Sequence, residues 1–296
     1  MNLFDLHSDT LYEAKCRALS PISSTLLQAP LGISPFEKTH RISAIWCDNT
    51  LDDEACYNAY LDIYRYTEEA LCNEPLPERI RFTYAVEDAR LLAGKAERLE
   101  TLFENGVRVL TLTWQGVSSI GGAWDTESGL TDFGKALIRL SAELGMILDI
   151  SHASLESARE TLALSERFGC EVIATHSCSF SVVAHKRNLT DYLFEALAER
   201  SAPVGINLVP YHLSEKKTAS LDDILSHIAH FLSLKNAAHS LALGSDFDGV
   251  STLPQGIATL SDLPKLYHAL EAALGQSLTE RIFYQNAQTY FSKHIT

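Results

Sequence analysis

A chain of 296 residues, 46% hydrophobic and 21% charged, has the make-up of a folded protein of one large or two small domains and excludes a largely disordered one. Its 24 Lys+Arg against 38 Asp+Glu give a formal charge of −14, which argues against nucleic acid and anionic membrane surfaces as partners. The six cysteines form no CxxC pair, no run of about 18 apolar residues occurs, and no basic stretch opens the chain, so the expectation is a cytoplasmic protein with free thiols and no membrane partner.

Short apolar or β-branched runs predict strands at 2–7, 42–47, 80–86, 107–113, 146–152, 171–176, 202–208 and 240–246. Helical spacing fills the intervals, most clearly in LTDFGKALIRLSAELG, SLESARETLALSERFG and SLDDILSHIAHFLSLKN. Gly106, Gly145 and Gly169 stand where helices give way to strands, and Ser154 and Ser220 fit as N-caps. Strand and helix alternate from end to end without a low-complexity linker, which predicts an α/β fold, a (β/α)8 TIM barrel taking in residues 1–296 as one domain. Two stretches depart from the alternation. Residues 10–41, rich in Pro and Ser, are read as a lid or hairpin after strand 1, and 277–294 as a terminal amphipathic helix.

Barrel chemistry sits at the C-terminal strand ends, so the polar residues that close each apolar run carry the information. Strand 1 closes in DLHSDT, with His7 and Asp9 two apart and so projecting to one side of an extended chain. Strand 3 closes in AVEDAR, strand 5 in LDISHAS, strand 6 in IATHSCS and strand 8 in LGSDFDG, offering Glu87, His152, His176 and Asp246. Each has an ordinary alternative: a turn cap for Asp9, a hydrogen-bonded barrel histidine for His152 or His176, a helix-initiating carboxylate for Glu87 and a turn residue for Asp246. Their coincidence at strand ends points to metal. The set exceeds the needs of one tetrahedral ion and suits two. His7, Asp9 and Glu87 would hold one, Glu87, His152 and His176 the other, with a hydroxide between them and Asp246 beside it as proton acceptor and donor.

The motifs DLHSDT, AVEDAR, LTLTW, LDISHAS, THS, HKRNLTD and GSDFDG, in this order, resemble the membrane (renal) dipeptidase family, zinc dipeptidases of the amidohydrolase superfamily. The resemblance runs from Asp5 to about Asn286. It implies a metal-dependent hydrolase with two Zn2+ per chain that cleaves small dipeptides, L-Xaa-D-Xaa as well as L-L, and it is compatible with a homodimer. It assigns His7 and Asp9 to the first zinc, Glu87 to the bridge, His152 and His176 to the second zinc, Asp246 to acid/base work and Arg187 to the substrate carboxylate. Tyr12 takes an aromatic wall position, and Tyr211 is a further wall candidate. Two positions depart from the pattern. Trp114 stands where mammalian members carry an oxyanion-steadying histidine, and its only donor is a neutral indole N–H. Asp88 follows Glu87 where a small residue is usual.

Two other readings use the same barrel: a related amidohydrolase acting on N-acyl amino acids or lactones, and a non-catalytic binding protein. His227 and His230, three apart, are expected on an exterior helix flank, and Cys178 lacks an identifiable base and so makes a poor nucleophile.

Overall fold

The structure is a computed structural model that describes residues 1–216 and 218–295. In chain order its elements are β1 (Asn2–Ser8), α1 (Thr10–Cys16), β2 (Lys38–Trp46), α2 (Asp53–Asn73), β3 (Ile80–Glu87), α3 (Glu97–Glu104), β4 (Val107–Thr111) and α4 (Asp132–Leu144). There follow β5 (Ile147–Asp149), α5 (Leu155–Phe168), β6 (Glu171–Ile173), α6 (Asp191–Ala198), β7 (Val204–Ile206), α7 (Pro210–Leu213), α8 (Leu221–Leu232) and β8 (Leu241–Leu243). The chain ends in α9 (Leu263–Leu274), α10 (Gln276–Glu280), a π-helical turn over Arg281–Gln285, and α11 (Asn286–His294).

All eight strands pair in parallel in the order β6-β5-β4-β3-β2-β1-β8-β7. A parallel bridge between Ala174 and Val204 joins the two outer strands, with Gly205 N donating to Ala174 O at 2.8 Å, so the sheet closes into a (β/α)8 barrel. Closure leaves every strand buried on both faces. Accordingly β7 and β8 read as unbroken apolar stretches, and β4 through β6 carry only Arg108, Thr111, Asp149 and Glu171 as polar residues. Helix signals behave as expected. Ser154 and Ser220 accept from the backbone N–H groups of Ser157 and Asp223, and Gly145 and Gly169 end α4 and α5 in the left-handed region at φ 75° and 70°.

Two expectations change. The 10–41 stretch forms no hairpin; it opens with α1, continues in turns, and β2 already starts at Lys38. That early start was hidden because Arg41 points its charge into the protein interior. Its guanidinium donates to Pro30 O, Ser8 Oγ and Thr10 Oγ1, so a strand residue that is buried reads as polar. The turns after α1 are pinned from β8's far end. Asp248 accepts from Gln28 N at 2.7 Å and from the Thr10 hydroxyl at 2.7 Å, and Leu27, Ala29 and Leu31 are buried beneath. The terminal 277–294 stretch is not one helix but α10, the π turn and α11.

Candidate metal centre and substrate cavity

The strand ends converge on one cluster. Glu87, the last residue of β3, places Oε1 2.9 Å from His152 Nε2, 3.5 Å from His176 Nε2 and 3.8 Å from His7 Nε2. Asp9 Oδ2 lies 3.3 Å and Asp246 Oδ1 4.0 Å from the same His7 nitrogen. Zinc–ligand bonds of 2.0–2.1 Å in a tetrahedron separate neighbouring ligand atoms by about 3.3–3.4 Å, which is the middle of this range. Two groups of ligand atoms fall within reach of a common ion: His7 with Glu87 and His176, and His7 with Asp9 and Asp246. Asp246 is thus placed where it can ligate as well as carry protons.

Hydrogen bonding fixes which imidazole nitrogens are bare. The Trp114 carbonyl can only accept, so His152 donates to it from Nδ1 at 3.2 Å and turns an unprotonated Nε2 toward Glu87. Thr175 gives its one hydroxyl hydrogen to Asp149 Oδ2 at 2.6 Å and therefore accepts from His176 Nδ1 at 2.8 Å, which leaves His176 Nε2 bare as well. Asp149 is itself held by Thr111 Oγ1 and by the backbone N–H groups of Ser151 and Thr175. The two bare Nε2 atoms stand 2.9 Å apart beside a carboxylate oxygen. Lone pairs so arranged repel one another unless a cation sits among them. His7 Nε2 and Asp9 Oδ1 are buried without any hydrogen-bond partner among the described residues. These orphaned atoms and the donor chemistry fit a metal centre.

The electrostatics agree. Burial alone would lower the His7 pKa, yet Glu87, Asp9 and Asp246 raise it to about 10. Burial, with Asp9 close by, holds Glu87 well above the ordinary carboxylate range and lifts Asp246 to about 6. Burial, aided by the charges of Arg187 and His7, drives His152 and His176 well below the ordinary imidazole value, toward the neutral form that ligates. Positive φ angles at His152 (69°), Asp246 (63°) and Asp88 (78°) show the backbone strained where it aims these side chains.

Gly249 makes room for the carboxylates. A Cβ there would overlap Asp9 Oδ2 and approach Asp246 Oδ1 to 2.5 Å. Gly249→Ala is expected to push both carboxylates off position and weaken metal retention by roughly tenfold or more, the scale on which disturbed ligand supports act. Metal content after dialysis against a graded chelator series checks this, and wild-type retention would show that Asp9 does not hold an ion.

A cavity of about 380 Å³ opens over the cluster. Tyr12, Trp114, Tyr211 and Arg187, all named from the sequence, line it. Tyr12 donates its hydroxyl to Asp48 Oδ2 at 3.0 Å and meets Trp46 edge-on, and Trp46 in turn packs against Trp114 with ring centroids 4.9 Å apart. Tyr211 is 58% exposed and stands at the rim. Arg187 is buried, and its guanidinium has neither an ion-pair nor a hydrogen-bond partner among the described residues. Arg187 does not pair with Asp191, whose Oδ1 accepts from Ser181 and lies 2.8 Å from His230 Nε2.

Several expectations resolve differently. Asp88 turns away from the cavity to pair with Arg90 at 3.2 Å. His227 is not on an exterior flank; it is fully buried, accepting from Ser179 N and donating to Leu213 O. Burial pushes the Cys178 thiol up to about 12, which removes it as a nucleophile. Sequence reasoning missed Trp46, Trp124, His185 and His212, all cavity-lining. Trp46 ends β2, His212 lies in the four-residue α7, and Trp124 and His185 lie in loops, so no shared period links them and only their residue types, Trp and His, mark them.

The comparisons agree with this geometry. A sequence model of the membrane dipeptidase family, peptidase family M19, matches residues 57–293. An uncharacterized dipeptidase of Schizosaccharomyces pombe is 29% identical over 211 residues, 69% of this chain and 50% of the relative, so the chain spans about half the length of that curated relative. Among solved structures, a metallopeptidase described as dipeptidase AC superposes with TM-score 0.88 at 22% identity, covering 99% of this chain and 98% of that one. A Rhodobacter sphaeroides metallopeptidase, bound to a phosphinate mimic of the dipeptide L-Ala-D-Ala, superposes with TM-score 0.84 at 20% identity, covering 99% of each chain.

Proposed function

The chain belongs to the membrane dipeptidase family, peptidase family M19, and from that premise we propose that it is a two-zinc dipeptidase whose substrates are short and free at the C-terminus, with L-Xaa-D-Xaa accepted alongside L-L. The observation that carries this reading is the pairing of a metal-ligand cluster with an unpartnered buried guanidinium in one cavity. His7, Asp9 and Glu87 would hold one ion, and Glu87, His152 and His176 the other. Bound there, zinc supplies Lewis acidity to a carbonyl oxygen and acidifies a water to a pKa near 7.

This chain's own residues do the rest. Arg187 receives the free α-carboxylate in its planar fork, which fixes the scissile bond over the cluster and excludes longer peptides whose next residue has no carboxylate to offer. Asp246, with a pKa raised to about 6, takes a proton from the attacking water and returns it to the departing amine. Trp46, Trp114 and Tyr12 wall the cavity and keep bulk water from it. Trp114 serves through its carbonyl, which orients His152, so the indole that replaces a histidine is not the group the cluster depends on.

The test is a rate survey on zinc-loaded protein over L-L, L-D and D-D dipeptides, a tripeptide and an N-acyl amino acid. Dipeptide turnover that disappears on chelation and returns with zinc is the expected result. Preference for the N-acyl amino acid over every dipeptide would overturn the substrate assignment, and turnover unaffected by chelation would overturn the metal.

A further inference from the structure

Arg200 and Ser201 precede β7 and His239 precedes β8, so the cavity they border lies at the N-terminal end of the barrel, opposite the metal cluster. Its volume is about 410 Å³, within the range of small-molecule sites, and it shares no lining residue with the catalytic cavity. Arg200, Arg281, Lys293, His239 and His294 line it, and no carboxylate does among the described residues. In a chain with a net charge of −14 this is a concentration of one sign against the average.

Nearby acids cancel it only in part. Glu166 pairs with Arg200 at 3.8 Å, and Arg200 also donates to Ser165 Oγ and Leu162 O, while Glu171 is taken by the Tyr290 hydroxyl at 2.7 Å with His294 Nδ1 at 3.6 Å. Arg281 and Lys293 have no ion-pair partner among the described residues. Arg281 Nη1 instead donates to His239 Nδ1 at 2.9 Å, which orients the guanidinium and leaves its charge uncompensated.

The π turn supplies a second, independent observation. Arg281, Gln285, Thr289 and Lys293 all line the cavity at steps of four residues. In an uninterrupted α-helix, at 3.6 residues per turn, twelve residues would carry the last side chain about 120° away from the first. The wider i→i+5 turn over Arg281–Gln285 takes back part of that drift. A rare and less favourable helix geometry is thereby kept where it gathers cations and hydroxyl or amide donors on one face.

We propose that this cavity is a binding site for a small phosphate ester. Two unpaired cations, Arg281 and Lys293, with the partly compensated Arg200 beside them, exceed what one carboxylate uses and match the several oxygens of a phosphoryl group, while the remaining volume admits an organic moiety. The concave shape and the acidic surroundings exclude a long polyanion.

Calorimetric titration of the zinc-loaded protein with AMP, inorganic phosphate and adenosine tests the assignment. Saturable binding of AMP at one site per chain is expected, weaker binding of phosphate, and none of adenosine. The double variant R281Q/K293Q is expected to lose roughly tenfold or more in AMP affinity, about one charge-assisted hydrogen bond or more. Arg187→Ala, in the other cavity, should leave that affinity unchanged. Lys293→Gln alone, on an exposed side chain, should lose severalfold without a folding complication. Absence of saturable AMP binding overturns the proposal. So does AMP binding retained by both cavity variants, and so does binding lost in Arg187→Ala.

Discussion

Asp246→Asn is expected to lower kcat on dipeptides by roughly 10²- to 10⁴-fold, the scale of one lost general acid/base, while the zinc content of the purified protein stays at the wild-type value. The substitution keeps the shape, but it exchanges one acceptor oxygen for an NH2 donor and removes the charge together with the ability to take up and release a proton. Position matters because Asp246 Oδ1 belongs to a group of possible ligand atoms with His7 and Asp9, 4.0 Å from His7 Nε2. Two roles therefore compete for one carboxylate. As a ligand, its amide replacement would weaken one ion and the metal content would fall together with the rate. As the proton carrier, only the rate falls. The longer distance from His7 and the residual access of its side chain to the cavity, 13% against 7% for Asp9, favour the proton carrier. Zinc analysis beside steady-state kinetics on the same preparation decides between them. Loss of one ion per chain would assign Asp246 to the metal, and retention of most activity would remove it from both roles.

The legibility of this site follows from where its residues sit in the chain. His7, Glu87, His152, His176 and Asp246 each interrupt or terminate an apolar run, so the two-faced burial of a parallel barrel makes them stand out. Arg41 shows the converse. It lies within β2 and is fully buried, but its partners Pro30 O, Ser8 Oγ and Thr10 Oγ1 come from other segments, and no local pattern reveals that its charge is accommodated. Thr175 is equally silent, because its part in fixing the His176 tautomer depends on Asp149, one strand away. Trp114 illustrates a third limit. The residue type suggests an indole donor, whereas the structure uses the backbone carbonyl, a group every residue possesses and no sequence distinguishes. What sequence patterning conveys is therefore the candidate ligand set. The supports that set its geometry are long-range hydrogen bonds.

Arg187→Ala should raise KM for dipeptides by roughly two orders of magnitude, the equivalent of about 2–3 kcal/mol for a buried charge-assisted fork, and change KM for the corresponding C-terminal amides far less. A buried guanidinium is costly unless something compensates it, and among the described residues no carboxylate does so by direct contact. Asp246, Glu87 and Asp149 act on it only through space, against the burial that lowers its pKa. The charge is thus held ready for an anion that arrives from outside. His185 Nδ1 accepts from the Arg187 backbone N–H at 3.2 Å and sets the local turn, so the side chain is positioned before substrate binds. Removing it takes away the complement to the substrate's carboxylate and leaves the cluster of Glu87, His152 and His176 in place. For that reason the effect falls on binding and on discrimination between acid and amide, more than on kcat with a saturating dipeptide. Arg187→Lys separates charge from shape: a point charge restores part of the affinity, but without the planar fork the preference for a free carboxylate over an amide narrows. Equal losses on dipeptides and their amides in both variants would show that Arg187 supports the fold of the cavity and does not clamp the substrate.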